Sequence, residues 1–375
     1  MSGAGSAKSV AKSAKSRARI ALNEEAQFAD KLLTWYDAHG RKDLPWQRHR
    51  TPYRVWVSEI MLQQTQVATV IAYFERFTHA FPDVQSLAAA PLDRVLHIWS
   101  GLGYYARARN LHEAAVLIVD RFGGDVPRSL DALMSLPGVG RSTAGAILSI
   151  AFDEPAPILD GNVKRVLARI HAVDGWPGNA RVAKGLWSLA EQSISHERPA
   201  DYTQAIMDLG ATLCTRASPA CSECQLSDDC IAFSQHCVER HPAPRPKRVL
   251  PTRHTRMLIV RNTVGEVLLE QRPPTGIWGG LWCFPEADPD ERLSEILKLA
   301  GLAASSNETA AHLTHTFTHF RLEIEPILVR LASEPLQIME GAKRLWYKND
   351  VGHQIGLAAP VKRMLAKVGA EGVFV

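Results

Sequence analysis

The chain has 375 residues, 46% of them apolar, and a formal net charge of +4. That length predicts two or three domains with cores of ordinary size. No apolar run approaches the roughly eighteen residues needed to span a bilayer, so a soluble protein with no membrane partner is expected. Four of the six cysteines fall between Cys214 and Cys230. That crowding argues against a secreted disulfide framework and for a metal site in a reducing compartment.

Residues 1–23 carry Lys8, Lys12, Lys15, Arg17 and Arg19 and no acid, in a background of Ala, Ser and Gly. They read as a disordered basic tail, or as a mitochondrial transit peptide, which shares that composition. Without them the remainder is close to neutral, so any affinity for nucleic acid must come from local patches.

From residue 24 to about residue 237 the apolar spacing is helical, as in Phe28, Leu32, Leu33 and Tyr36. Thr51-Pro52 reads as an N-cap with proline at the first helical position, and Thr65 as a second cap. Leu62-Gln63-Gln64 is left as a helix–helix corner. Near residues 129–152, Pro137 stops one helix, Gly138 and Gly140 make a tight turn, and another helix opens after Ser142. Such a turn brings bare N–H groups and a helix N-terminus to a phosphate. Residues 238–256, rich in proline and basic groups, read as an extended linker. Beyond it, from 257 to 375, strand-like alternation at 257–260, 267–270 and 321–325 mixes with helical spacing at 290–302 and 356–368, predicting an α+β domain.

Two carboxylates stand out. Glu59 is the only acid between Asp43 and Glu75 and lies among apolar residues, which would raise its pKa toward neutrality. Asp160 lies between the apolar, strand-like Pro157-Ile158-Leu159 and the basic Lys164-Arg165. One protonated and one ionised carboxyl is the pair that glycosidic bond cleavage requires. Cys214, Cys221, Cys224 and Cys230 have the spacing C-x6-C-x2-C-x5-C. Four thiolates in one short loop suit a [4Fe–4S] cluster, with structural zinc as the rival. Cys237 and Cys283 are left over as free buried thiols.

Taken together, Leu44-Pro45-Trp46, Ser58 through Gln66, Gly101 through Arg107, Leu136 through Ala144 and Leu159 through Arg165 resemble the A/G-specific adenine DNA glycosylases (MutY type) of the endonuclease III, helix-hairpin-helix superfamily. The likeness covers nearly residues 25–375. It implies a multidomain fold: an all-α helix-hairpin-helix glycosylase core with an iron–sulfur loop at 214–230, followed by a Nudix-like domain.

The resemblance also implies roles. Glu59 protonates the adenine and later activates water, and Asp160 stabilises the oxocarbenium-like sugar. Gln63, Gln64, Leu102, Tyr104, Gly138, Gly140 and Ser142 contact DNA, some of them wedging into the duplex vacated by the flipped base. Trp46, Gln47, Asn162 and Gln204 form the adenine pocket. Relatives that also cut the strand carry lysine where Ser142 stands, so a monofunctional enzyme that leaves an abasic site is expected. The four cysteines hold the [4Fe–4S] cluster.

In the C-terminal domain Gly280 and Glu286 would begin a Nudix box. Ser294, Lys298 and Leu299 occupy positions where that box needs arginine and glutamates, and only Glu295 is kept. Without clustered carboxylates the domain cannot hold Mg²⁺ for diphosphate hydrolysis. The resemblance gives it instead the reading of 8-oxoguanine, through Phe317, Thr318 and His319. The expected partner is double-stranded DNA with A:8-oxoG or A:G mispairs, bound by a monomer. The expected location is cytoplasmic, with the bacterial nucleoid, or mitochondrial or nuclear in a eukaryote. The rival readings are a pyrimidine-damage glycosylase with lyase activity, which Ser142 opposes, and a non-catalytic iron–sulfur DNA-binding protein, which the two acids oppose.

Overall fold

The computed structural model describes residues 27–246, 249–299, 302–333, 343–348 and 354–371; the basic segment 1–23 lies outside the described residues. The chain folds into two compact units. One joins the chain through Thr78 to Ala114–Lys247, and the other joins His79–Glu113 to Arg248–Val375.

Helix α1 (residues 27–39) is followed by α2 (Pro45–Arg48), α3 (Pro52–Leu62), α4 (Val67–Ala80), α5 (Val84–Ala89), α6 (Leu92–Trp99) and α7 (Ala106–Phe122). Then come α8 (Leu130–Met134), α9 (Arg141–Phe152), α10 (Gly161–Ile170), α11 (Ala180–Gln192), α12 (Pro199–Asp208) and α13 (Ile231–Ser234). The local chemistry explains the boundaries. Thr51 accepts from Arg54 N with Pro52 at the first position of α3, as expected. Ser129 caps α8 by accepting from Ala132 N. Gly138, at φ 80°, makes the turn into α9 in a conformation that L side chains rarely adopt. The core of this unit joins α1 to α9, α10, α11 and α12 through Leu32, Tyr36, Ile150, Val163, Leu167, Leu186 and Ile206.

The second unit is a mixed sheet. Its strands are β1 (Thr252–Arg261), β2 (Val267–Gln271), β3 (Trp282–Cys283), β4 (Glu286–Ala287), β5 (Ala304–Thr309), β6 (Leu313–Thr316), β7 (Arg321–Leu331) and β8 (Arg344–Tyr347). β1 runs parallel to β7 in register from Thr252↔Arg321 to Arg261↔Arg330. β5 and β6 are antiparallel to β7, and β2 pairs with β1, β3 and β8. Helix α14 (Leu293–Leu299) covers part of the core built from Leu258, Val260, Leu268, Ile327 and Val329. Helix α15 (Ala359–Glu371) follows β8.

Three features differ from the sequence reading. Residues 79–113, helical as expected, pack with the sheet unit rather than with the other helices. The segment 238–256 is not a uniform connector: Val238–Arg240 is a 3-10 turn, His241 is buried, and β1 already begins at Thr252. Arg169 holds the start of that segment by donating to the Val238 and His241 carbonyls. Finally, Pro157-Ile158-Leu159 forms no strand. It has no strand beside it in a helical unit, and the Leu159 N–H goes to the Ser142 hydroxyl instead.

Candidate active site

One cleft in the helical unit is lined by Glu59, Asp160, Ser142, Asn162, Gln204 and Trp46, with Arg41 and Gln63 among the remaining lining residues. Glu59 comes from α3, whose neighbours Val55, Trp56, Ile60 and Met61 are buried. Asp160 is the N-cap of α10 and accepts from Val163 N at 2.7 Å. Ser142 enters from the first turn of α9 and Gln204 from α12.

The two acids are treated differently by their surroundings. Burial, and secondarily the Asp160 charge, push Glu59 up to about 8, and among the described residues its carboxyl has no hydrogen-bond or ion-pair partner. Burial also raises Asp160, but hydrogen bonds from Val163 and Asn162 and the charges of Arg165 and Lys164 pull back toward the ionised form. The Asn162 amide donates to Asp160 Oδ2 at 3.3 Å. Burial thus holds Glu59 toward its neutral form, while hydrogen bonds and nearby cations oppose the upward shift at Asp160 alone, the kind of asymmetry that acid-assisted departure of a leaving group needs.

Sequence reasoning missed Asp208. It is fully buried, and its carboxylate accepts from Arg41 Nη2 at 2.6 Å, Arg41 Nε at 3.0 Å, Arg41 N at 2.8 Å and Gln204 Nε2 at 2.8 Å. It therefore fixes two residues of the cleft wall. The signal was present: an acid four residues after Gln204, on the same face of the helix.

The other expected pocket residues divide. Trp46 is buried and packs edge-on against Phe74 at 5.4 Å while lining the cleft. Gln47 does not line it; its amide nitrogen and oxygen are buried without a hydrogen-bond partner among the described residues. Leaving such groups unpaired costs about 1–3 kcal/mol, so a partner arriving with a ligand would be favoured.

The DNA-contact candidates lie on turns. Gln64 takes φ 57° at the α3–α4 corner, and the neighbouring Gln63 amide donates to the Gly138 carbonyl and to Thr143 Oγ1, each at 3.3 Å. The corner and the hairpin are thereby joined. Gly140 caps α9 with no side-chain hydrogen bond, leaving first-turn N–H groups for an anion. In the sheet unit, Tyr104 is about half exposed at φ 49°, whereas Leu102 is buried. Arg107 lies under the Tyr104 ring at 5.3 Å and donates to the Leu102 and Gly103 carbonyls. Phe317, Thr318 and His319 form the turn between β6 and β7, closed by Phe317 N to Phe320 O at 2.9 Å.

Cys214, Cys221, Cys224 and Cys230 line a second, mostly apolar cavity. Arg169 donates to Cys214 Sγ at 3.3 Å and to the carbonyls of Cys214, Thr215 and Arg216. Among the described residues no group of three or more His, Cys, Asp or Glu side chains is arranged around a single metal ion. Four thiols round one mostly apolar cavity are a donor set able to hold an iron–sulfur cluster or a structural zinc. Of the remaining thiols, Cys283 is buried and Cys237 only partly so.

In the sheet unit Glu286 is paired with Arg272 at 2.7 Å, and Glu295 is largely exposed beside Arg292 at 4.0 Å. Among the described residues no carboxylate cluster of the diphosphatase kind is present.

Residues 57–192 match the HhH-GPD superfamily of base excision DNA repair proteins, and residues 256–367 match the NUDIX domain. The solved structure of a thermostable thymine-DNA glycosylase aligns with a TM-score of 0.50 and 28% identity, covering 57% of this chain and 98% of that one. Fold and site thus define a helix-hairpin-helix base-excision repair glycosylase carrying a Nudix-type domain. The adenine DNA glycosylase of Buchnera aphidicola subsp. Acyrthosiphon pisum (strain APS) is 39% identical over 338 residues, 90% of this chain and 96% of that protein. The Homo sapiens adenine DNA glycosylase is 35% identical over 404 residues, covering 91% and 74%. The chain belongs to the adenine DNA glycosylase family, enzymes that hydrolyse N-glycosyl bonds in base-excision repair.

Proposed function

We propose that this enzyme removes adenine mispaired with 8-oxoguanine or guanine in double-stranded DNA and leaves an abasic site. The observation that carries the reading is the shared cleft of Glu59, held protonated up to about pH 8, and Asp160, capped and hydrogen-bonded as a carboxylate. Glu59 delivers its proton to N7 of the flipped adenine, which then departs as a neutral base. Asp160 faces the positive charge left on the sugar and stabilises it, by field or by a transient covalent bond. Glu59, now ionised, takes a proton from the attacking water. Trp46, Asn162 and Gln204 line the cleft that receives the base, whereas Gln47, which the resemblance assigns to the same pocket, does not line it.

The duplex is gripped by Gly138, Gly140, Ser142, Gln63 and Gln64 on the helical unit, and by Leu102 and Tyr104 on the sheet unit. Phe317, Thr318 and His319 read the base opposite the adenine. The Thr318 hydroxyl lies 3.4 Å from His319 Nδ1. Cys214, Cys221, Cys224 and Cys230 hold a [4Fe–4S] cluster. Bound there, it cross-links the loop and shapes a basic surface that includes Arg216; it supplies no group to the reaction.

The test is a single-turnover assay on duplexes with adenine opposite 8-oxoguanine, guanine or cytosine, resolved with and without alkali. Strand breaks that appear only after alkali, with cytosine the poorest partner, support the reading. Breaks formed without alkali would mean a lyase. Glu59→Gln should bind duplex and fail to excise; sustained turnover by that variant removes its assigned role.

A further inference from the structure

The wedge and the reading loop are built into the same compact unit. Leu102 and Tyr104 precede α7, Phe317–His319 join β6 to β7, and both lie in the unit formed by His79–Glu113 and Arg248–Val375. Glu59, Asp160, Gln63 and Gln64 lie in the other. Polar contacts fasten the helices to the sheet body. The Gln271 amide donates to Asp93 at 2.8 Å, and the His97 ring meets the Ile355 carbonyl at 3.1 Å. The Tyr105 hydroxyl donates to the Leu357 carbonyl at 3.3 Å, and Arg109 Nη1 donates to the Gly279 carbonyl at 2.5 Å.

The Arg109 contact alone continues to the reading loop. Gly279 follows Trp278, which is buried and held at φ 51°. A bulky side chain held there persists only where its surroundings over-determine it. The Trp278 ring lies 5.5 Å from both His315 and Phe317, and Phe317 stacks on Phe320 at 4.5 Å. Toward the wedge, Arg109 N donates to the Tyr105 carbonyl and Arg107 N to the Tyr104 carbonyl, and the Arg107 guanidinium supports the Tyr104 ring. Packed groups thus run without a break from Tyr104 to Phe317, along a helical turn and a tight loop that resist bending.

We propose that Arg109, through its bond to the Gly279 carbonyl, is a positioning residue that joins the Tyr104 wedge to the Phe317–His319 reader as one lever. The identity of the base opposite adenine thereby sets how deeply Tyr104 enters the duplex. The proposal rests on the reading of Phe317–His319 as the 8-oxoguanine contact. It makes discrimination depend on a residue that touches neither the lesion nor the adenine.

A double-mutant cycle in the full-length, cluster-loaded enzyme tests this. Arg109→Met, Phe317→Ala and the double variant are compared by single-turnover rates on A:8-oxoG and A:G duplexes. A 2-aminopurine placed beside the mispair reports wedge entry. Arg109→Met should lower the A:8-oxoG rate at least about fivefold and the fluorescence change with it, while the A:G rate stays within about twofold. Adding Arg109→Met to Phe317→Ala should then cost no more than either change alone. Arg109→Gln, which keeps a polar side chain too short to reproduce the bond to the Gly279 carbonyl, should shift the ratio in the same direction and carries the test if Arg109→Met does not fold. An unchanged ratio in Arg109→Met and Arg109→Gln, or losses that add in the double variant, overturns the lever while Phe317→Ala still loses discrimination. No loss in Phe317→Ala overturns the reader assignment itself.

Discussion

The Ser142 hydroxyl accepts the backbone N–H of Leu159 at 2.9 Å, so the first turn of α9 holds the segment that delivers Asp160 to its cap position. This residue therefore does more than leave out a nucleophilic amine. It provides the partner that an unpaired Leu159 N–H would otherwise lack in a partly buried setting.

Ser142→Ala should accordingly slow base excision without creating strand cleavage. Losing one such hydrogen bond is worth about 1 kcal/mol, or roughly a fivefold fall in the single-turnover rate if the loss reaches the Asp160 position in full. Duplex affinity should change less than the rate. An unchanged rate would show that Asp160 is held by its own cap bond to Val163 N alone.

The pH dependence follows from the two acids. The proposed role of Glu59 as proton donor requires its protonated form, so activity should fall as pH rises through about 8. On the acid side it should fall as Asp160 gains a proton, above the ordinary aspartate range because burial raises it. The two limbs report the pair rather than either residue alone. Stability has the matching sign. A carboxyl whose folded-state pKa is raised contributes fully below its unfolded value of about 4.5, and that contribution is lost as pH climbs toward 8. Glu59→Gln should thus stabilise the protein by about 1–3 kcal/mol at pH 8 and by little at pH 4, read as denaturation midpoints at both values.

Much of this was legible because it is local. The Thr51-Pro52 cap, the turn at Gly138 and the isolated acid among apolar neighbours are each written in a few consecutive residues. What escaped depends on contacts distant in sequence. Asp208 acquires its meaning only when Arg41, 167 residues away, closes on it. Residues 79–113 have ordinary amphipathic spacing, and nothing in that spacing says that they join the unit of the sheet rather than that of the other helices. Asp160 was recognised as an acid between apolar and basic runs, yet its role as a helix cap needed the strand-like stretch before it to find no strand partner.

Arg165 links the cysteine loop to Asp160. Its guanidinium donates to the Cys214 carbonyl at 2.8 Å, the Gly210 carbonyl at 2.6 Å and Asn162 Oδ1 at 2.9 Å, and Asn162 in turn donates to Asp160. Arg165→Met should release Asn162 and remove a donor from the Gly210 and Cys214 carbonyls, the second of which keeps Arg169. The expected result is at least about a tenfold loss in excision rate together with reduced iron content after purification. Normal iron with slow excision would confine the effect to Asn162, and full activity would show that Asp160 needs no support from this side.

Gly210 tests the same geometry from the opposite direction. A Cβ there would meet Asn162 Cβ at 2.6 Å and Asn162 Cα at 3.0 Å, and the second of these is backbone that cannot rotate away. Gly210→Ala must therefore displace the first turn of α10, whose N-cap is Asp160. Overpacking of this kind costs about 1–3 kcal/mol of stability. The loss of rate should exceed what that destabilisation explains, because the folded protein itself carries a shifted carboxylate and a misplacement of about 1 Å can lower a rate a hundredfold. Single-turnover rates measured well below the melting temperature separate the two effects. A variant that is less stable but excises at the normal rate would mean that Asn162 yields to the extra methyl without moving Asp160.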